Sequence, residues 1–366
     1  MTLTLDGVAK RVGAETHIYP TSLTLERGTM NVLLGPTLSG KTSLMRLMAG
    51  LDAPSEGRLL WDGADVTGTR VQDRGVAMVY QQFINYPSMT VFENIASPLR
   101  LKGLSRGEIQ TRVAKVAELM KLTPMLKRRP LELSGGQQQR CALARALVKD
   151  AGLVLLDEPL ANLDYKLREE LREEIPAIFA ASGAIFVYAT TEPHEALLLG
   201  GRTACLWEGR VTQFGPTAEV YRAPADAVTA RVFSDPPMNF VAAEKGGGRL
   251  RFGTRVDVAV PEGLTGLPDG RYRAGFRPNH LDIERRHEGE LGFPATIAIT
   301  EITGSESFVH VDHDTGSGTA RWVALVHGVR EMPAGQEQTV YVDPARLYFF
   351  GEDDRLVAPA PRAEAA

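Results

Sequence analysis

The chain has 366 residues, 43% hydrophobic and 23% charged, with a net charge of −4. That length exceeds one typical domain, and the balance is that of a globular protein with a sizeable core. The basic residues are dispersed, which speaks against a nucleic-acid partner, and no apolar run reaches the ~20 residues of a membrane-spanning helix.

Met1-Thr2-Leu3-Thr4-Leu5-Asp6 lacks the basic start and apolar run of a secretion signal, so a cytoplasmic location is expected. Residues 1–235 then read as alternating strands and helices. Met30-Asn31-Val32-Leu33-Leu34 is a short apolar run, and a helix-forming segment follows from Lys41 to Ala49. Residues 76–80, 153–156 and 184–188 are further continuous apolar runs, the pattern of parallel strands buried on both faces. Between 90 and 146 the pattern turns helical and polar, which predicts an inserted helical lobe. Cys141 and Cys205 both sit in apolar stretches without metal-type spacing and read as small core residues. Past Ser234-Asp235-Pro236-Pro237 the texture changes: residues 236–358 carry short alternating segments between Gly and Pro turns, as a small all-β module does. Residues 359–366, rich in Ala and Pro, read as a disordered tail.

Gly35-Pro36-Thr37-Leu38-Ser39-Gly40-Lys41-Thr42, with Ser43 after it, fits G-x-x-x-x-G-K-[ST] and lies between a strand and a helix. Backbone N–H groups at such a helix start surround phosphates; Lys41 neutralises the outer ones and Thr42 ligates Mg²⁺. Asp157 closes a buried strand, where a carboxylate is costly unless it serves a cation, and is read as the Mg²⁺-side acid. Its neighbour Glu158 is placed to polarise an attacking water. ATP and Mg²⁺ are the expected ligands.

Leu133-Ser134-Gly135-Gly136-Gln137-Gln138-Gln139-Arg140 is a second N–H-rich anion site, two glycines leading into a polar helix. Together with the phosphate loop this string resembles the signature of the ABC ATPases. The resemblance implies an α/β P-loop NTPase core, RecA-like with a helical subdomain, followed by an OB-like all-β domain. It also implies head-to-tail pairing, in which Ser134, Gly135, Gly136 and Gln137 of one chain contact ATP held by the other. Gln81 fits the family's glutamine loop, which touches Mg²⁺ and the attacking water, and Asp164 lies in the loop that crosses the dimer interface. Tyr86-Pro87-Ser88-Met89-Thr90-Val91-Phe92-Glu93-Asn94-Ile95 resembles the lead-in to the helical lobe of importer ATPases.

Three positions depart from the family's pattern. Thr191, in Ala189-Thr190-Thr191-Glu192-Pro193-His194, stands where a histidine is usual and cannot carry its charge. Leu38 replaces a glycine, tolerable at an ordinary φ but costing about 1–2 kcal/mol at a positive one. Val12 stands where an aromatic usually stacks on adenine, with His17 or Tyr19 as possible replacements. All three changes touch the chain's own pocket while the signature is intact, which favours a heterodimer with a second ATPase over a homodimer. In the all-β module, Arg277-Pro278-Asn279-His280 and Glu301-Ile302-Thr303-Gly304-Ser305-Glu306 resemble landmarks of sugar-type importer ATPases; within that group the phosphate loop and Thr190-Thr191-Glu192-Pro193 most resemble one of the two paired ATPase subunits of bacterial glycerol importers. The resemblance implies two membrane permease subunits as partners, a periplasmic solute-binding protein acting indirectly, and a place at the cytoplasmic face of the inner membrane. The alternative expectation is a largely non-hydrolytic regulatory subunit.

Overall fold

The computed structural model describes residues 2–361 except Phe83, 162–164, Thr254 and 316–317. They form two compact units, Met1–Thr217 and Ala218–Ala366.

The first unit opens on the long antiparallel pair β1 (Thr2–Val12) and β2 (Glu15–Glu26). β4 (Glu56–Trp61) and β5 (Ala64–Asp65) complete this sheet in the order β2-β1-β4-β5. The apolar runs legible in the sequence build the second sheet: β3 (Met30–Leu34), β6 (Val76–Val79), β7 (Leu153–Asp157) and β8 (Ile185–Thr190). With β9 (Arg202–Trp207) and β10 (Arg210–Pro216) its order is β10-β9-β3-β8-β7-β6, parallel throughout except for the β9–β10 hairpin. Every residue of β7 and β8 is buried, as expected of strands covered on both faces. Helix α1 (Lys41–Ala49) leaves β3 and buries Leu44, Met45, Leu47 and Met48 against Leu5, Leu25, Leu155 and Val187, so one core joins both sheets.

The helical lobe holds α2 (Val91–Leu101), α3 (Arg106–Leu119) and α4 (Gly135–Leu147). α2 and α3 each begin with a capping box, Thr90 with Glu93 and Ser105 with Glu108, which satisfies two otherwise unpaired N–H groups apiece. Buried Asn94 ties the lead-in segment to α2 by accepting from Tyr86 N–H and donating to the Tyr86, Met89 and Thr90 carbonyls. α5 (Tyr165–Ser182) and α6 (Pro193–Leu199) flank β8 in sequence. Cys141 and Cys205 are both free and buried, and burial pushes the Cys141 thiol up to about 11.

The second unit begins with α7 (Thr217–Arg222), whose first residue belongs to the preceding unit, and α8 (Ala227–Val232). One sheet contains β11 (Asn239–Gly246), β12 (Arg249–Phe252), β13 (Val256–Ala259) and β14 (Gly270–Phe276). The other contains β15 (Leu281–Asp282), β16 (Leu291–Ile302), β17 (Glu306–Asp314), β18 (Thr319–His327) and β19 (Glu337–Val342). β20 (Tyr348–Phe350) and β21 (Leu356–Ala358) extend the first sheet beyond β14. Both sheets enclose one aromatic-rich core in an OB-like all-β arrangement, with Trp322 edge-on to Phe276 and Phe293. Ala360 is buried in a satellite cluster with Tyr348 and Phe350, while 362–366 lie outside the described residues.

Candidate functional site

The phosphate loop spans the gap between β3 and α1. Gly35 has no room for a side chain, because a Cβ there would collide with the Leu206 carbonyl and the Ser39 hydroxyl. Gly40, at φ 103°, ends the loop in a conformation that glycine adopts without penalty and forms the N-cap of α1. No side chain caps this helix and its first turn carries no acidic residue, so its N–H groups and positive dipole end are available to an anion.

Lys41 is buried and folds back into the loop, donating to the Gly35 carbonyl at 2.8 Å and the Pro36 carbonyl at 3.0 Å. Its ammonium lies 3.3 Å from Glu158 Oε1. Burial lowers the Lys41 pKa and the Glu158 charge opposes that shift. Ser39 Oγ is buried and finds no hydrogen-bond partner among the described residues. The unpaired hydroxyl and the uncapped helix start offer donors, and the buried ammonium beside them adds positive charge. They fit a phosphate chain.

Asp157 ends β7, and its Oδ2 accepts from Thr42 Oγ1 at 2.8 Å. Burial raises the Asp157 pKa, the Thr42 hydrogen bond works against that, and Glu158 adds to it. This hydroxyl–carboxylate pair is the oxygen-rich donor set that Mg²⁺ takes. Glu158 sits at φ 44°, with its N–H donated to the Ala189 carbonyl at 3.0 Å. Gln81, just past β6, donates from Nε2 to Glu158 Oε2 at 3.2 Å. Thus Gln81, Glu158, Lys41, Thr42 and Asp157 come from three separate stretches of sequence and meet in one place.

Of these, Gln81, Glu158, Lys41 and Thr42 line a cleft of ≈ 760 Å³ that also takes in Thr37, Leu38 and Ser43, while Asp157 stands behind Thr42. His17 and Tyr19 line it, whereas Val12 is exposed and does not. The Arg210 guanidinium stacks on Tyr19, 3.5 Å from its ring centroid. Sequence reasoning missed Glu15, Glu208 and Gly209, which border the same cleft. Glu208 at φ 46° and Gly209 at φ 76° make the tight turn between β9 and β10, a conformation typical of hairpins. The Glu-Gly pair signals a turn, but nothing local announces that it will accept from Tyr19 N–H and donate to the Ser39 carbonyl.

Leu38 stands at φ 67° and is 95% exposed, so the leucine takes the costly backbone branch with no packing inside the chain to offset it. Replacement by glycine relieves about 1–2 kcal/mol of strain and costs about 0.5–1 kcal/mol in chain entropy. Leu38→Gly is therefore expected to raise stability slightly, read as a higher urea midpoint without nucleotide; a lower midpoint would contradict the strain argument.

Thr191 follows β8, is exposed, and does not line the cleft; His194 is exposed on α6. Ser134 caps α4 by accepting from Gln137 N–H at 3.4 Å, while Gln137 Oε1 accepts from Ser134 N–H at 3.1 Å. That leaves the Gly135 and Gly136 amides at the start of a helix, yet none of the residues 134–137 borders the cleft. The signature and the phosphate loop are separate surfaces of one chain. Asp164 lies outside the described residues.

Residues 18–161 match the family described as ABC transporter, and residues 274–350 match the TOBE domain. The sn-glycerol-3-phosphate import ATP-binding protein UgpC of Chromobacterium violaceum is 36% identical over 100% of this chain and 98% of its own length. The trehalose/maltose import ATP-binding protein MalK of Thermococcus litoralis is 37% identical over 94% of this chain and 95% of its own. Among solved structures, the dimeric ABC transporter cassette MJ0796 superposes with a TM-score of 0.53 at 28% identity, covering 59% of this chain and 98% of that one.

Proposed function

The chain belongs to the ATP-binding proteins of ABC transporters, ATPases coupled to transport, and from that premise we propose how its residues divide the work of an importer subunit. The observation that carries the reading is the convergence of Lys41, Thr42, Gln81, Asp157 and Glu158 on the mouth of an uncapped helix. Gly35 to Ser43 cradle the ATP phosphates, with Lys41 exchanging its two carbonyl acceptors for phosphate oxygens. Thr42 and Asp157, with Gln81, would hold Mg²⁺, which when bound would neutralise charge on the phosphates. Glu158 orients and deprotonates the attacking water, and Gln81 fixes the carboxylate that does so.

Because Ser134, Gly135, Gly136 and Gln137 stand apart from the cleft, they are read as contacts to ATP held by a second ATP-binding unit. The relative MJ0796 is described as dimeric, which supports pairing. Residues 1–235 are assigned to the nucleotide-binding domain and 236–358 to a regulatory β domain. The intact set at the cleft favours hydrolysis in this chain over a purely regulatory role. An unlike partner, expected from Thr191, Leu38 and Val12, gains no support from the geometry.

A second cleft of ≈ 290 Å³ lies between β6 and the helical lobe, bordered by Tyr80, Gln82, Ile84, Tyr86, Leu101 and Arg145. Leu101 is 89% exposed, as suits a surface that receives an apolar partner segment, and we assign it to a membrane permease subunit. No helix among the described residues is long and apolar enough to cross a membrane; as an importer's ATP-binding subunit the chain is read as peripheral, on the cytoplasmic face. The names of the relatives favour a small polyol, polyol phosphate or sugar as solute, with glycerol or sn-glycerol-3-phosphate tried first.

Reconstitution with the two permease subunits and the solute-binding protein in liposomes tests this. ATP hydrolysis is expected to rise about tenfold or more when sn-glycerol-3-phosphate or glycerol is supplied. Absence of stimulation by every polyol, polyol phosphate and sugar tried would refute the importer assignment for this solute class. Finding two kinds of ATP-binding chain in the purified complex would restore the unequal pair.

A further inference from the structure

Two loops of the cleft hang from the end of a single strand. The Ala189 carbonyl of β8 accepts from Glu158 N–H at 3.0 Å, and the Thr190 carbonyl accepts from Gly35 N–H at 3.3 Å. Glu158 at φ 44° occupies a backbone region that persists only where the surroundings over-determine it. What sets the end of β8 therefore bears on the reacting carboxylate.

Tyr188 and Thr190, on the same face of β8 either side of Ala189, both reach one oxygen of Glu195. The Tyr188 hydroxyl donates to Glu195 Oε2 at 3.1 Å and the Thr190 hydroxyl at 2.6 Å. Glu195, on α6, is 4% exposed, and burial holds its pKa above the ordinary carboxylate value. Its other oxygen faces Arg172 of α5 at 3.5 Å. Arg172 also meets Glu169 at 2.5 Å and Glu192 at 3.7 Å, and Arg168 meets Glu192 at 2.8 Å. None of Arg172, Tyr188 or Glu195 borders the cleft. A buried carboxylate is costly to keep, and the bonds it makes here point to the strand end rather than to a ligand.

We propose that Glu195 is a positioning residue for ATP hydrolysis: it clamps Tyr188 and Thr190, and so fixes the stretch of β8 whose carbonyls hold Glu158 and the phosphate loop. It touches neither nucleotide nor water. Its effect falls on turnover, because binding through Lys41 and the α1 amides tolerates a small shift of Glu158 while proton abstraction does not.

The inference rests on hydrolysis at this cleft and is tested in the full-length chain by measuring kcat and ATP affinity separately. Glu195→Ala is expected to lower kcat about tenfold or more with the ATP Kd within about twofold. Glu195→Gln keeps an oxygen that accepts from both hydroxyls while giving up the ion pair with Arg172, and is expected to hold kcat within about threefold. Tyr188→Phe removes one of the two bonds and is expected to lower kcat about threefold. An unchanged kcat in Glu195→Ala, or Gln falling as far as Ala, overturns the proposal. If Glu195→Ala does not fold, an unchanged kcat in Tyr188→Phe overturns it instead. The cleft itself is judged separately: hydrolysis that survives Glu158→Gln would discard the catalytic reading before any Glu195 variant is weighed.

Discussion

Glu158→Gln is expected to lower the rate of ATP hydrolysis by about 10²–10⁴, the usual contribution of a positioned general base. The amide keeps the size of the side chain and can still accept from Gln81, but it cannot take a proton from water. The backbone at φ 44° is as strained for Gln as for Glu, so the fold is not the casualty. The second consequence has the opposite sign. Glu158 places a negative charge 3.3 Å from Lys41, to which the proposed site assigns the outer phosphates of ATP. Neutralising it removes a like-charge repulsion and frees Lys41 for phosphate, so ATP is expected to bind several-fold more tightly. Equilibrium binding and single-turnover hydrolysis on the same preparation check both halves. A loss of less than about tenfold in turnover would assign the base elsewhere.

The other large effect concerns stability of the second unit. Arg277→Ala is expected to cost about 3–5 kcal/mol, the range seen when a buried charged hydrogen-bond network is broken. Arg277 is 2% exposed and donates to the Phe233 carbonyl at 2.6 Å and the Tyr221 carbonyl at 2.7 Å. Its guanidinium also lies 3.7 Å from the Tyr221 ring centroid, a desolvated cation–π contact. Removing it leaves two carbonyls without a donor and a void beside an aromatic ring. One side chain thereby secures the segment around α7 and α8 to the end of β14. Lysine, a point charge without the planar fork, cannot serve both carbonyls and stack at once, so Arg277→Lys is expected to lose most of the same stability. Hydrogen exchange of the β14 and β20 amides reads this locally. If those amides keep wild-type protection in Arg277→Ala, the residue does not fasten that segment.

Much of the first unit was legible in the sequence because its strands are buried on both faces and so appear as unbroken apolar runs. Met30-Asn31-Val32-Leu33-Leu34 and the helix from Lys41 to Ala49 fall where the pattern puts them, and residues 153–156 and 184–188 lie within one residue or two of β7 and β8. That Asp157 and Glu158 meet Thr42 and Lys41 was foreseeable for a related reason: a carboxylate at the end of a buried strand needs a partner. Less visible were the groups that act across long separations. Glu195 looks like an ordinary first-turn acid of α6, and only the fold brings it to Tyr188 and Arg172. Glu208 and Gly209 announce a turn but not its neighbour. The φ of Leu38 could be framed as a conditional, and the structure supplies the answer.

The parallel ladder around β3 has a consequence in time. β3 bears the phosphate loop, yet its hydrogen-bonded neighbours among the described strands are β8 and β9. The Asn31 side chain, fully buried, donates to the Phe186 carbonyl across 155 positions of sequence. A ribosome therefore releases the phosphate loop long before it makes the strands that shape it, and the apolar β3 run must wait without a ladder. Such distant pairing is slow to form. The bond that holds Gly35 N–H on the Thr190 carbonyl forms only after β8 has emerged, so the phosphate loop gains its anchor late in synthesis.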